Sequence, residues 1–398
     1  MKPPGLLLIS AGAVCIAWLQ DIPQQPSRPL WRTVGSTQDI RESCGLVLLS
    51  NGKALVAGGH ADTSGGKWRL IGSAELYDPK TETWKPTGSL VEPRQGVWTI
   101  VLLKNGKVLL AGEHDCRTGA ELYDPQTGKW ASTGSLLVGR GGHTSTLLKD
   151  GKVLVAGGID YHSNDTIFAS AELFDPVTEK WTSTGSMSVP RFLHRAVLLP
   201  NGKVLVVGGR PAEGADPAAT AELYDPMTGT WKRTGSMSEV RQNSTLTLLR
   251  EGRVLVAGGG NGKSGSGKSV ASAEIYDLRT EKWTPTGSME RSRAQFTATR
   301  LADGKVLAVG GVAWPTPIAH NSAELYDPAS GTWSAAGKLA NSRWNHRAVL
   351  LPNGQLLVVG GCGPFGHQHL RSAEVFTPSS MTTPTTSNFT IRSRPNPY

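Results

Sequence analysis

Charge is scarce and scattered in this chain. Only 18% of its 398 residues are charged and no run of like charge occurs, although the net charge is +9. The surface should therefore be mildly positive, but no basic stripe interleaved with aromatics is present to stack bases, and nucleic acid is not an expected partner. Helical periodicity is missing throughout, which excludes bundles and doubly wound α/β folds. Cysteine is rare: Cys15, Cys44, Cys116 and Cys362 are the complete set. Loss of an N-terminal signal would leave three, enough for one bridge, Cys116–Cys362 or Cys44–Cys362, so packing has to hold the chain together. The one long apolar run, Leu6 to Leu19, follows Lys2 and is short for a spanning helix. It predicts a signal peptide or N-terminal anchor over residues 1–20 and a secreted, periplasmic or cell-surface protein. A linker over 21–30 and a flexible Ser/Thr/Pro-rich tail over 378–398 complete the ends.

What the chain has in quantity is glycine, 48 residues, regularly placed. Pairs or their equivalents fall at Gly58-Gly59, Gly112-Glu113, Gly157-Gly158, Gly208-Gly209, Gly258-Gly259, Gly310-Gly311 and Gly360-Gly361, spaced 45 to 54 residues apart. Each pair closes a short aliphatic run such as Val153-Leu-Val155, which follows an Asn-Gly or Asp-Gly hairpin signal such as Asn51-Gly52 or Asp150-Gly151, with Glu251-Gly252 in one copy. After a variable loop come Ala-Glu-Leu-Tyr-Asp (Phe174 and Phe376 replacing Tyr in two copies), an Asp-Pro turn in most copies, and a strand carrying Trp84, Trp130, Trp181, Trp231, Trp283 or Trp333. Seven units of four strands result. A four-stranded sheet cannot bury both faces alone, so the units must pack sheet on sheet, and a radial ring leaves no long open edge.

The seventh unit lacks its tryptophan strand. At the other end, Trp31-Arg-Thr-Val-Gly-Ser36 resembles Trp181-Thr-Ser-Thr-Gly-Ser186. The N-terminal segment is therefore expected to supply the outer strand of blade seven. The expectation is an all-β, seven-bladed propeller over residues 31–377, linker and tail apart, existing as a monomer.

The rows of Gly-Gly, Tyr-Asp and Trp at this period resemble the kelch repeat, and among kelch proteins the chain is similar to the propeller of galactose oxidase. That resemblance implies a site built from a thioether-linked Cys–Tyr pair, a second Tyr and two His around copper. Cys44 stands near the place of the cross-linked cysteine, but its partner would fall at Val97-Trp98, and the Tyr-His pair falls on Asn345-His346. One possible ligand does not make a copper site, so no cofactor and no metal are expected. Fold is well specified by such a resemblance and function is not.

Three features are candidates for function. An Arg opens each unit (Arg41, Arg94, Arg140, Arg191, Arg241, Arg293, Arg343) and a Glu recurs in each (Glu75, Glu121, Glu172, Glu222, Glu274, Glu324, Glu374). Equal numbers suggest one pair per blade, with one or two arginines left for ligand. A second row at the start of the inner strand reads Cys44, Trp98, His143, His194, Ser244, Phe296 and His346, varied chemistry on a repeated frame, as a pocket lining would show. Its histidines could equally cap the inner strands. Third, the loops after the glycine pairs carry Trp68, Tyr161, His162, Phe168, Trp314, His320, Phe365, His367 and His369, a mixture suited to glycan or protein recognition.

Two weaker signals complete the reading. Cys362, His367 and His369 with His114 and Cys116 are possible soft-metal ligands without a fixed geometry. Gly262 to Ser269 matches a phosphate-loop pattern, but a strand follows too soon for the helix that the pattern needs. The chain is thus expected to be an exported glycan- or protein-binding module, with Trp68, His143, His194, Arg195, Trp314, His346 and Arg347 as candidate ligand-binding residues. The alternatives are an enzyme resembling the kelch-type sialic-acid mutarotase, which has six blades, and a degenerate galactose-oxidase-like protein.

Overall fold

The computed structural model describes residues 30–62, 68–94, 96, 99–112, 115–212, 214–262, 267–364 and 368–378. The expected signal or anchor, nearly all of the linker and nearly all of the tail lie outside them, as do Trp98, His114, Phe365 and His367.

Alternating residues in every repeat build antiparallel four-stranded sheets, seven in all among the described residues. Blade three is representative: Thr144–Leu147 innermost, then Val153–Ala156, Ala171–Asp175 and Lys180–Thr184. The second strand is buried along its whole length because it is sandwiched within the sheet and between neighbouring blades. Each tryptophan lies opposite the aromatic of the preceding strand, as Trp181 opposite Phe174 and Trp84 opposite Tyr77, with ring centroids 5.1 Å apart in both. Their polar ends tie one blade to the one before. Trp181 Nε1 donates to Gly134 O at 2.6 Å and Trp231 Nε1 to Gly185 O at 2.7 Å, while Tyr224 Oη meets Thr184 Oγ1 at 2.8 Å. Aromatic area and a directional bond thus act at each joint.

Blade seven closes as expected. Trp31–Val34 pairs with Ala373–Phe376 in register Trp31↔Phe376 to Val34↔Ala373, and Trp31 Nε1 donates to Ala336 O at 2.8 Å.

The glycine pairs mark the closest approaches between blades. Gly157 and Gly158 have φ of 65° and 105°, and a Cβ on Gly157 would lie 2.4 Å from the Arg191 carbonyl of the next blade. Gly158 N donates to that same carbonyl at 2.9 Å. Only glycine combines the positive φ with the missing side chain.

The Asn-Gly turns differ in detail from a two-residue hairpin with both central residues at positive φ. In Asn51-Gly52 the glycine alone has positive φ, and Asn51 Oδ1 instead accepts Lys53 N at 3.1 Å. The variable loops also hold structure not apparent in the sequence. Small extra hairpins pair His60–Asp62 with Trp68–Leu70, Ile159–Asp160 with Thr166–Ile167, and Val312–Ala313 with Ile318–Ala319.

No disulfide forms among the described cysteines; Cys44, Cys116 and Cys362 are all free thiols. Cys44 is packed among Val56, Leu357 and Val359, and Cys116 Sγ lies 3.2 Å from Ile159 O, so neither suggested bridge exists. Among the described residues no helix is long and apolar enough to cross a membrane.

Candidate functional site at the channel mouth

All seven repeat arginines are consumed by structure. Arg140 is fully buried; its Nη1 donates to Gly157 O and Ser170 O, and its Nη2 to Glu172 Oε1 at 2.7 Å. Glu172 in turn accepts Leu137 N and Val138 N at 2.7 and 3.2 Å, so one ion pair satisfies the strand ends and the loop entering the blade. The same pair recurs at 2.6–3.2 Å in the other six blades, Arg41–Glu75 through Arg343–Glu374. The expectation of one pair per blade is met, and none of the seven is left over for ligand.

The inner row is a set of braces. His143 Nδ1 lies 3.1 Å from Arg140 O and its Nε2 3.1 Å from Thr99 Oγ1 of the preceding blade. A carbonyl only accepts, so Nδ1 carries the proton and Nε2 accepts from the threonine. His194 and His346 make the equivalent contacts with Thr144 and Thr297, at 3.0 and 2.9 Å. Burial, reinforced by Arg140, pushes the His143 pKa down to about 4, so the ring is neutral above that pH, and both other histidines are likewise driven well below the ordinary value. The unfolded chain therefore binds protons near pH 6.5 that the folded one refuses. This stability is present above pH 6.5 and is lost as pH falls toward 4, with His143 alone contributing on the order of 3 kcal/mol. Urea midpoints measured between pH 7 and 4.5 should fall in the parent and fall less steeply in His143→Gln.

One residue further along the inner strand, the repeat presents side chains to the central channel. Thr99, Thr144, Thr245 and Thr297 occupy that position in four blades, Gly45 in one, and arginine in two: Arg195 and Arg347. Both arginines line one cavity of about 300 Å³ with His143, Asn243, Gln295 and Asn345. Arg195 Nε donates to Ser244 O at 2.6 Å and Nη1 to His194 O at 3.2 Å. Its partners are therefore carbonyl oxygens, and among the described residues no carboxylate pairs with it. Burial and the nearby Arg347 push it down to about 10, so it stays charged at neutral pH.

The rim of this cavity is a chain of main-chain bonds. Leu193 N donates to Gly142 O, Asn243 N to Leu193 O, Gln295 N to Asn243 O and Asn345 N to Gln295 O, at 2.9–3.2 Å. All five residues have φ between 51° and 61°, and all five line the cavity. Asn243 Oδ1 and Gln295 Oε1 are buried acceptors without a protein donor. A second groove of about 320 Å³ shares Leu193, Asn243 and Gln295 with the cavity and extends to Arg210, Trp314 and Pro315. Trp314 is 37% exposed, its ring packs edge-on against Trp344 with centroids 6.2 Å apart, and its main-chain N–H donates to Ser269 Oγ at 3.0 Å. It is a fixed apolar platform beside the charged cavity.

The structure thus gathers His143, His346, Arg195 and Arg347 in one cavity, with His194 immediately before Arg195 and Trp314 in the adjoining groove. Trp68 belongs to the blade-one hairpin, away from this set in the chain. The proposed soft-metal group is only partly assembled: Cys362 pairs with His369 across a β-bridge, while Cys116 bonds to Ile159 O in another blade. What the sequence reading missed is the grouping of Glu42 and His60 with His369, which it named only among the possible soft-metal ligands.

The model of the KLHDC2/KLHL20/DRC7 Kelch-repeats domain matches residues 142–361. The chain belongs to the kelch-repeat family. Among solved structures, this kelch propeller is similar to a fungal alcohol oxidase with catalytic diversity among the AA5 family, in complex with copper. That likeness has a TM-score of 0.71 and 18% identity, over 89% of this chain and 78% of that one. It shows a shared fold with the galactose-oxidase type of propeller. No curated protein matches the chain in sequence.

The copper-radical site of that type does not fit the residues present. Asn345, in place of tyrosine, directs its amide to Glu42 at 2.9 Å, and His346 Nε2 is engaged by Thr297. Arg195 and Arg347 also place two positive charges in the same cavity, which disfavours a metal ion there and favours an anion.

Proposed function

We propose that this kelch propeller is a binding protein that holds a carboxylate-bearing glycan on its loop-bearing face. The acidic sugar occupies the channel-mouth cavity, and an adjoining sugar ring lies against Trp314. The observation that carries this reading is Arg195, a half-buried guanidinium without a carboxylate partner among the described residues, facing one cavity together with Arg347. A guanidinium presents paired donors to a carboxylate. The orphan acceptors Asn243 Oδ1 and Gln295 Oε1 suit sugar hydroxyl donors, and an exposed tryptophan beside a polar cavity suits the apolar face of a sugar. The adjacent histidines are neutral and already engaged by threonine, which supports recognition rather than proton transfer. Export, supported by Lys2 and the apolar Leu6–Leu19 segment, would place a monomeric binder where glycans occur.

A glycan array followed by titration tests this. Uronic- or sialic-acid-terminated oligosaccharides should bind, and their neutral counterparts should not. Arg195→Ala should weaken binding by about 100-fold, the cost of leaving a buried charge unpaired, and Trp314→Ala by about 10-fold. Equal binding of neutral glycans, or full affinity in Arg195→Ala, would overturn the reading.

A further inference from the structure

The seam between the first and last blades holds a second, separate arrangement. Glu42 lies in the loop entering blade one, His60 directly follows the Gly58-Gly59 pair, and His369 comes from the loop of blade seven. The backbone fixes all three. Glu42 and His60 exchange main-chain bonds of 2.9 and 3.0 Å, His369 bridges Cys362, and Arg41 N donates to Leu370 O at 3.1 Å. Glu42 Oε2 is then 3.5 Å from His60 Nε2 and 3.2 Å from His369 Nε2. One ligand atom from each of the three lies within 4.8 Å of the others.

Those separations decide the chemistry. Ligand atoms 2.0–2.1 Å from a tetrahedral ion lie about 3.3 Å apart, so the two measured spacings already suit such an ion. The cluster is shielded: the Glu42, His60 and His369 side chains are 7%, 11% and 2% exposed. The other carboxylate oxygen, Glu42 Oε1, accepts Asn345 Nδ2 at 2.9 Å, which leaves Oε2 aimed at the imidazoles. Outer bonds of this kind orient a ligand for metal. Two imidazoles and one carboxylate select zinc or a similar first-row divalent ion over calcium or magnesium, which take oxygen sets.

We propose that Glu42, His60 and His369 form a binding site for a divalent transition metal of the zinc class, tying blade seven to blade one. The site is distinct from the channel cavity and independent of the glycan reading, sharing with that cavity only the neighbouring Asn345. It joins residues more than 300 positions apart, where a cross-link removes much chain entropy from the unfolded state.

Titrating the chelator-treated full chain with Zn²⁺ by calorimetry should give one tight site per molecule, and saturating zinc should raise the melting temperature. His60→Ala and His369→Ala should each weaken that site by about 100-fold, while His162→Ala, which removes an exposed loop histidine, should not. Should a variant fail to fold, Co²⁺ added to the unaltered chain gives an independent answer. Intense visible bands of a four- or five-coordinate ion, abolished by zinc, are expected. Absence of those bands, or undiminished zinc affinity in a folded His369→Ala protein, overturns the assignment.

Discussion

Glu222→Ala should lower the unfolding free energy by about 3–5 kcal/mol, measured by urea denaturation. Glu222 and Arg191 are buried to within 1% of full coverage and meet at 2.9 Å. The carboxylate also accepts Ser188 N and Val189 N at 2.7 and 3.2 Å. Truncation strands a guanidinium and two amides out of water at once, so the loss exceeds that of a deleted contact. Lys203→Ala removes the exposed Lys203–Asp225 pair of the same blade, 3.1 Å long, and should cost less than about 1 kcal/mol. Similar losses in both variants would show that the repeat pair is not the brace described. The double variant Arg191→Met/Glu222→Leu should recover only part of the loss: the unpaired charge is gone, but Ser188 N, Val189 N and the Gly208 and Thr220 carbonyls lose their partners.

Removal of residues 30–36 should lower the melting temperature by more than about 10 °C and promote association between molecules. The deletion uncovers the whole edge of Ala373–Phe376 and the cluster around Leu339, Leu356 and Phe376 that Trp31 covers. A bare strand edge invites pairing with another chain. Trp31→Ala alone, burying less apolar area and losing the Ala336 bond, should cost about 3–5 kcal/mol. Calorimetry and light scattering check both variants, and an unchanged melting temperature in the deletion would remove the clasp from the account.

The ring was legible because each physical need is stated seven times. Glycine appears where blades approach, tryptophan and tyrosine where they join, and the missing seventh tryptophan, Trp31, could be sought at the opposite terminus. The ion pairs were legible too, because one arginine like Arg191 and one glutamate like Glu222 recur in every unit. Arg195 and Arg347 were noticed, but their importance was not. They hide in a channel-facing position otherwise filled by Thr99, Thr144, Thr245, Thr297 and Gly45, and only the coordinates show that blades four and seven aim them into one cavity. Glu42 and His60 face each other at a main-chain bridge that recurs in other blades, as Gly141 faces Ile159, but only blade one places a carboxylate and an imidazole there. His369, named only as one of several possible soft-metal ligands, joins them through ring closure. The disulfide expectation failed for a related reason: counting thiols says nothing of whether each has already found a packing site, as Cys44 has.

The strand Trp31–Val34 has a mechanical consequence. Trp31 faces Phe376, so the chain enters and leaves the ring at a single point. A pulling force between the two ends peels the pairs in succession, Trp31 from Phe376 first and Val34 from Ala373 last, rather than shearing all four together. Under tension the ring opens like a zip at the joint that otherwise keeps it closed.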